Sequence, residues 1–126
     1  MRLNRFAHFI GFELLKVEPG FIEGQVKMLD HHRQQEGWAH GGLLMTLCDI
    51  VAGFAAYSTT EAGKRVLTAE IKVSCLRPGK GDILIARGTV LKPGKHFHFC
   101  ECEVWSVEEG ETLLAAKGTT TMAVVE

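Results

Sequence analysis

A run of fifteen residues, 43–57, is apolar almost throughout and contains no proline, reading LLMTLCDIVAGFAAY. Two glycines precede it, at the end of the stretch Trp-Ala-His-Gly-Gly that covers residues 38–42. Such a run is typical of a helix packed on most of its circumference, and glycines permit a tight backbone turn into it. The run is shorter than the roughly 20 apolar residues of a membrane span. The sequence therefore predicts one long buried helix and no membrane segment.

Asp49 lies in the middle of this predicted helix and is the first candidate for chemistry. Taking a carboxylate out of water is costly unless it is paired, hydrogen-bonded or protonated, so helix packing gives no reason for an acid there. Two interpretations are open. Asp49 is a catalytic carboxylate, or it is a structural acid that is bonded to a neighbouring amide or lysine or shares a polar stripe with Thr46.

The composition predicts one domain over residues 1–126, because 46% of the residues are hydrophobic and 23% are charged. The net charge of -1 gives no overall attraction for nucleic acid. The first fifteen residues lack the continuous apolar stretch of a secretory signal, and the four cysteines show no CxxC spacing. We therefore expect a cytoplasmic protein whose cysteines are reduced core thiols.

Alternation of apolar and polar residues predicts six strands, which cover residues 12–17, 21–29, 66–76, 82–91, 96–107 and 112–125. We expect a short helix at residues 2–10 and a polar loop at residues 30–37, in which His31 and His32 are solvated. Short turns between strands favour antiparallel pairing, so the predicted fold is α+β, with a curved antiparallel sheet wrapped around one long helix. The surplus of apolar surface predicts self-association.

The stretch before and within the predicted helix has a recognisable pattern. It resembles the hotdog-fold acyl-CoA thioesterases, in particular the group like the phenylacetate-pathway (PaaI-like) thioesterase. The residues that carry the resemblance are Gln34, Gly37, His40-Gly41-Gly42 and Asp49, followed by Thr68, Arg77-Pro78, Pro93-Gly94-Lys95 and residues 114–118 near the end. The likeness therefore covers roughly the whole chain.

The resemblance implies a hotdog homodimer, or a homotetramer made of two dimers, that hydrolyses acyl-coenzyme A thioesters without a metal or bound cofactor. By that likeness Asp49 is the nucleophile or general base, and a backbone N–H of Gly41 or Gly42 polarises the thioester carbonyl. Gln34 would orient the reacting groups. Thr68 matches a hydroxyl position that some members use to hold the attacking water.

The spacing between Gly42 and Asp49 gives an independent reason to expect a dimer. Helix N-termini present free N–H groups that stabilise a developing oxyanion. The two residues are seven positions apart, or about 10 Å along a helix, which is too far for both to reach one carbonyl within a subunit. Two antiparallel helices side by side would close this gap. One position departs from the family pattern, since some relatives have a threonine where this chain has Gly53.

Histidines and cysteines offer further candidates. His40 either performs acid–base chemistry or serves in turn packing and hydrogen bonding. His96, His98, Cys100 and Cys102 are spaced to share one face of a strand, where they can chelate zinc. No open, carboxylate-backed site accompanies them, so we predict no metal.

Candidate substrate contacts complete the prediction. Trp38 and Tyr57 line either an aryl or a medium-chain alkyl pocket, or they belong to the core. A non-catalytic protein that binds or senses acyl-CoA is the alternative to the enzyme. The residues that either contact the phosphates of coenzyme A or are ordinary solvated charges lie in two predicted turns and are Arg77, Lys80, Lys92 and Lys95.

Overall fold

The computed structural model describes residues 4–126. In chain order it contains helix α1 (Arg5–Phe9), strands β1 (Glu13–Glu18) and β2 (Phe21–Lys27), helix α2 (Gly41–Ser58), and strands β3 (Arg65–Cys75), β4 (Ile83–Lys92), β5 (Phe97–Glu108) and β6 (Glu111–Val125). The six observed strands begin and end within two residues of the predicted ones, because the alternation of apolar and polar residues ends at each turn. Residues 2 and 3 of the predicted N-terminal helix lie outside the described residues.

All six strands form one antiparallel sheet in the order β1-β2-β4-β5-β6-β3. The long connection through α2 carries the chain from β2, near one edge, to β3 at the other. The sheet wraps around α2, and the α+β hotdog fold predicted from the sequence is confirmed.

Helix α2 has 18 residues and a mean hydropathy of 1.4, so by length and composition alone it could cross a membrane. Half of it is buried against the sheet instead, as expected of a core helix. In β4, a Cβ added to Gly88 would lie 2.4 Å from the carbonyl group of Val51, so glycine is required where helix and sheet approach. The residues that α2 buries are Leu43, Leu44, Leu47, Cys48, Ile50, Val51, Ala52, Ala55 and Ala56.

The loop before α2 packs more closely than its polar composition suggests. His31 is exposed, as predicted, but His32 is only 4% exposed, so the prediction that it is solvated was wrong. Its Nδ1 accepts the N–H of Leu29 at 2.9 Å, and its Nε2 donates to the carbonyl of Ile10 at 2.7 Å. His32 thereby ties the end of α1 to this loop, a contact that only the tertiary fold creates.

The two edge strands of the sheet remain open. Every residue of β1 is exposed, and nine of the eleven residues of β3 are exposed as well. The side chains of Leu67 and Ile71 on β3 are 62% and 39% exposed. Between the two edges, no strand of the described part of the chain covers one face of α2, and this face carries Asp49.

Candidate active site

Asp49 is half-buried on the open face of α2 and has a polar partner on the edge strand. The hydroxyl of Thr68 in β3 donates to Asp49 Oδ1 at 2.6 Å and also lies 3.5 Å from the sulfur of Met122. No donor within residues 4–126 is bonded to Oδ2 of Asp49. The carboxylate is therefore oriented by one hydrogen bond while its other oxygen is free to contact a water or a substrate.

Asp49 lies on a groove of about 460 Å³ between α2, α1 and the two edges of the sheet. The helix contributes residues three and four positions apart, which form one face. Tyr57, predicted as a pocket residue, is among them. The lining is largely apolar and includes Phe6, Ile50, Phe54, Tyr57, Val66 and Met122. The groove can thus accept an apolar group whose reactive end lies beside Asp49.

His40 caps the start of α2. Its Nδ1 accepts the N–H of Gly42 at 2.9 Å, and the ring is exposed. This bond satisfies one of the free amides at the helix start, as N-cap side chains commonly do. The N–H of Gly41 donates to no acceptor in the described part of the chain. Of the two predicted carbonyl-polarising amides, Gly41 is the one left available.

Gln34 shapes the loop that leads to the helix start. Its Oε1 accepts the N–H groups of Glu36 at 2.6 Å and Trp38 at 3.2 Å. Its backbone N–H donates to the carbonyl of Trp38 at 2.8 Å. The side-chain NH2 has no acceptor among residues 4–126 and is the part of Gln34 that can contact a ligand.

The helix start and Asp49 lie on two different hollows of one chain. Gly41 lines a hollow of about 240 Å³ together with Trp38, Cys75 and Arg77, whereas Asp49 and Thr68 line the groove. Eight positions separate Gly41 from Asp49, which corresponds to about 12 Å along the helix. A single chain therefore does not bring the free amide and the carboxylate to one carbonyl.

The four predicted phosphate contacts form two separate pairs. Lys80 Nζ lies 5.0 Å above the ring of Trp38, and Arg77 donates to the carbonyl of Leu114 at 2.9 Å. Both residues lie near the helix start. Lys92 is the last residue of β4, about 30 Å along the strand from Ile83, and Lys95 follows it in the next turn. Only the first pair is near Gly41 within one chain.

The histidine and cysteine face of β5 belongs to the core. His98, Cys100 and Cys102 are buried, but His96 precedes the strand and is exposed, so the prediction that all four share one face was wrong. Within residues 4–126, no three His, Cys, Asp or Glu side chains are grouped to hold a metal ion. Burial lowers the pKa of His98, whose Nδ1 lies 3.0 Å from the hydroxyl of Thr59.

The thiols are free in this structure. Contact with Cys102 and burial raise the pKa of Cys48, and burial raises the pKa of Cys100. Cys75 is exposed, so the prediction that it is a core thiol was wrong. Its strand, β3, is an edge strand, and no strand within residues 4–126 pairs with its outer side.

Met122 is a site residue that the sequence did not indicate. It lies opposite Thr68 in the pairing of β3 with β6 and lines the groove next to Asp49. The two residues are 54 positions apart in the chain. Their contact depends on which strands pair in the sheet, and the alternation within one strand does not identify its neighbour.

Known proteins with similar sequences point to one family. Residues 36–113 match the family model of the thioesterase superfamily. An esterase-like protein of Caenorhabditis elegans is 36% identical over 93 residues, which are 73% of this chain, and the match spans about half (53%) of that relative's length. The human acyl-coenzyme A thioesterase 13 is 26% identical over 120 residues, covering 94% of this chain and 85% of the relative.

Solved structures agree with this assignment. A thioesterase family protein from Silicibacter pomeroyi has a TM-score of 0.95 and 29% identity, covering 97% of this chain and 90% of that one. A Streptococcus mutans protein bound to acetyl CoA has a TM-score of 0.81 and 28% identity, covering 99% and 93%. The predicted kinship with thioester-hydrolysing enzymes is thus confirmed, and the chain belongs to the thioesterase superfamily.

Proposed function

We propose that this protein is an acyl-CoA thioesterase in which Asp49 is the catalytic carboxylate. The observation that carries the proposal is the hydrogen bond from Thr68 that orients Asp49 at an apolar groove, on a helix whose start presents a free amide at Gly41. The human relative named for acyl-CoA hydrolysis and the Streptococcus mutans structure with acetyl CoA support coenzyme A esters as the substrate class.

The proposed reaction consumes water and splits the C–S bond of the thioester. Asp49 attacks the carbonyl carbon itself or removes a proton from an attacking water. The carbonyl oxygen becomes an oxyanion, which the N–H of Gly41 stabilises through the partial positive charge of the helix start. The C–S bond then breaks. In the water route, the leaving sulfur receives the proton that Asp49 removed from water. In the direct route, the thiolate leaves behind an anhydride between Asp49 and the acyl group, water hydrolyses this anhydride and regenerates Asp49, and a proton released in that step goes to the thiolate. The products are a carboxylate and the thiol of coenzyme A.

The active form proposed here is a homodimer, because β3 is an open edge strand. A long edge strand with exposed Leu67 and Ile71 offers unpaired backbone groups and apolar side chains to another chain. A second copy of the same strand can pair with the backbone groups and cover the apolar side chains. Pairing of identical strands about a twofold axis is antiparallel. The exposed edge and its apolar side chains therefore favour pairing of β3 with β3 of a partner.

Such pairing would also complete the site. Thr68, which contacts Asp49, lies toward one end of β3, and Cys75, which lines the hollow of Gly41, is at the other end. In an antiparallel pair centred near Ile71, each chain's Thr68 lies beside the other chain's Cys75. The free amide of Gly41 in one subunit is then brought toward Asp49 of the other, across the gap that one chain leaves open.

The first experiment measures thiol release from a panel of aryl and alkyl acyl-CoAs. Wild type is compared with Asp49→Ala, Asp49→Asn and, as a matched surface control, Asp82→Asn. We expect turnover by wild type and Asp82→Asn, and a loss of at least about a hundredfold in kcat/KM in both Asp49 variants. Equal activity with and without the carboxylate would contradict its role. Tight acyl-CoA binding without turnover by wild type would favour the non-catalytic alternative.

A second experiment tests the shared site by mixing subunits. Asp49→Ala is combined with Gly41→Pro, which removes the amide hydrogen, and the mixture is unfolded and refolded together. A hybrid dimer has one site with both defects and one intact site. Random pairing makes about half of the dimers hybrids, so about a quarter of all sites are intact and about a quarter of wild-type activity is restored. Absence of rescue, with hybrid dimers demonstrated by mass measurement, would place each site within one subunit. The same mass measurement distinguishes a dimer from the predicted homotetramer.

A further inference from the structure

Gly53 lies in the middle of α2, where glycine is less favourable for helix formation than alanine. Gly88 has a steric reason, since its Cβ would collide with the backbone of Val51. A Cβ added at Gly53 would meet only the Cε of Met122, at 3.9 Å, which is ordinary van der Waals contact. Within residues 4–126, packing of the protein against itself therefore does not require glycine at residue 53.

The space over Gly53 belongs to the groove that holds Asp49. Gly53 follows Asp49 by four positions, so the two lie on the same helix face about 6 Å apart. Side chains of a helix lean toward its N-terminus, so a side chain at residue 53 would extend back toward Asp49. It would occupy the part of the groove next to the carboxylate.

The groove extends mainly toward the C-terminal end of α2. Beyond Gly53 it continues along Phe54 and Tyr57, and Phe6 of α1 lines it as well. On the other side of Asp49, α2 contributes only Thr46 among the described lining residues. A thioester whose carbonyl lies beside Asp49 and whose acyl group is apolar would therefore place that group across Gly53.

We infer that Gly53 determines the depth of the acyl pocket and that the protein selects apolar acyl groups that reach past it, medium-chain alkyl or arylacetyl groups rather than acetyl. This inference rests on the proposed thioesterase function for the identity of the substrate as a coenzyme A ester. Glycine at residue 53 leaves room for the acyl carbons that follow the carbonyl. Burial of these carbons against Phe54 and Met122 then favours the longer substrate.

The test measures kcat/KM for acetyl-CoA, octanoyl-CoA and phenylacetyl-CoA with wild type and with Gly53→Ala, Gly53→Val and Gly53→Leu. Wild type should prefer the two larger esters. The ratio of kcat/KM for octanoyl-CoA to kcat/KM for acetyl-CoA should change little in Gly53→Ala and fall in Gly53→Val. In Gly53→Leu it should fall at least about tenfold. Thermal unfolding checks that each variant folds, and alanine should raise Tm because it favours the helix.

Thr46→Leu is the matched control, since it adds bulk on the same helix face but on the other side of Asp49. It should leave the ratio of octanoyl-CoA to acetyl-CoA unchanged. An unchanged ratio in Gly53→Leu, or a loss of the same size for all three esters, would overturn the role of Gly53. A wild type that prefers acetyl-CoA would overturn it as well.

Binding of thioether analogues separates this inference from the proposed function. S-octyl-CoA and S-methyl-CoA have no thioester to hydrolyse, so their affinities, measured by calorimetry, do not depend on turnover. If wild type releases no thiol from any ester, the proposed function is wrong. The affinities of the two analogues still show whether Gly53 sets the depth of the pocket. Tighter binding of S-octyl-CoA by wild type that is lost in Gly53→Leu supports the inference. No preference in wild type, or a preference that survives in Gly53→Leu, overturns it.

Discussion

Replacement of Gly41 by proline removes one backbone hydrogen from the proposed site and leaves the fold almost unchanged. Gly41 is the first residue of α2, a position where proline is favoured because its missing N–H has no partner within the helix. The preceding residue, His40, has φ -61° and ψ 135°, which lies in the region that residues before proline adopt. A Cβ at residue 41 would meet no atom of the described residues within 4 Å.

The expected effect on catalysis is large. The N–H of Gly41 donates to no acceptor within residues 4–126, so its removal breaks no bond that the described chain makes. If it donates to the thioester oxyanion, its loss costs about 2.7 to 4 kcal/mol of barrier, or about a hundred- to a thousandfold in kcat. The unfolding free energy should change by less than about 1 kcal/mol.

The assay compares kcat and KM for thiol release by wild type, Gly41→Ala and Gly41→Pro, with thermal unfolding and mass as checks on folding and assembly. Gly41→Ala keeps the N–H and fits the same space, so it should retain most of the activity. A Gly41→Pro protein that folds, assembles and turns over at the wild-type rate would refute the role of this amide. An equal loss in both variants would show that the side chain, and not the missing hydrogen, is responsible.

Three further predictions follow from the contacts of the site. Thr68→Val removes the hydrogen bond to Asp49 and should raise the activation barrier by about 1.5 kcal/mol, which lowers kcat about tenfold. Thr68→Ser keeps the hydroxyl and should retain activity. In the double variant, Thr68→Val should add no further loss of activity to that of Asp49→Ala. Lys80 lies near the helix start and is expected to contact a phosphate of coenzyme A, so Lys80→Ala should raise KM several-fold without changing kcat. An effect as large from Lys92→Ala would contradict this expectation. The three buried thiols should react with a thiol reagent only after unfolding, and reaction of any of them in the folded protein would contradict their burial; they are Cys48, Cys100 and Cys102.

Local patterns were sufficient to predict most of the fold. The alternation in the strands and the apolar run of α2 depend on which face of each element meets the core, and neighbouring residues record this directly. The polar loop before α2 was different. Its composition predicted solvation, but His32 is buried, because it bonds to Ile10 in a segment 22 positions away.

The candidate site was predicted only in part. Asp49 was conspicuous because a carboxylate is costly inside an apolar helix, and the glycines at the helix start marked a free amide. The sequence did not distinguish Gly41 from Gly42. That difference depends on the side chain of His40, which turns back to accept the N–H of Gly42.

By itself, the sequence determined a single long core helix with one acid in it, six antiparallel strands and the kinship that follows from the pattern at residues 34–49. Each of these depends on residues close together in the chain. Tertiary structure alone decided that Thr68 and Met122 meet beside Asp49, that β3 is an open edge, and that the space over Gly53 is part of a groove. These contacts depend on the order in which strands distant in sequence pair in the sheet, and the pattern within each strand does not determine that order.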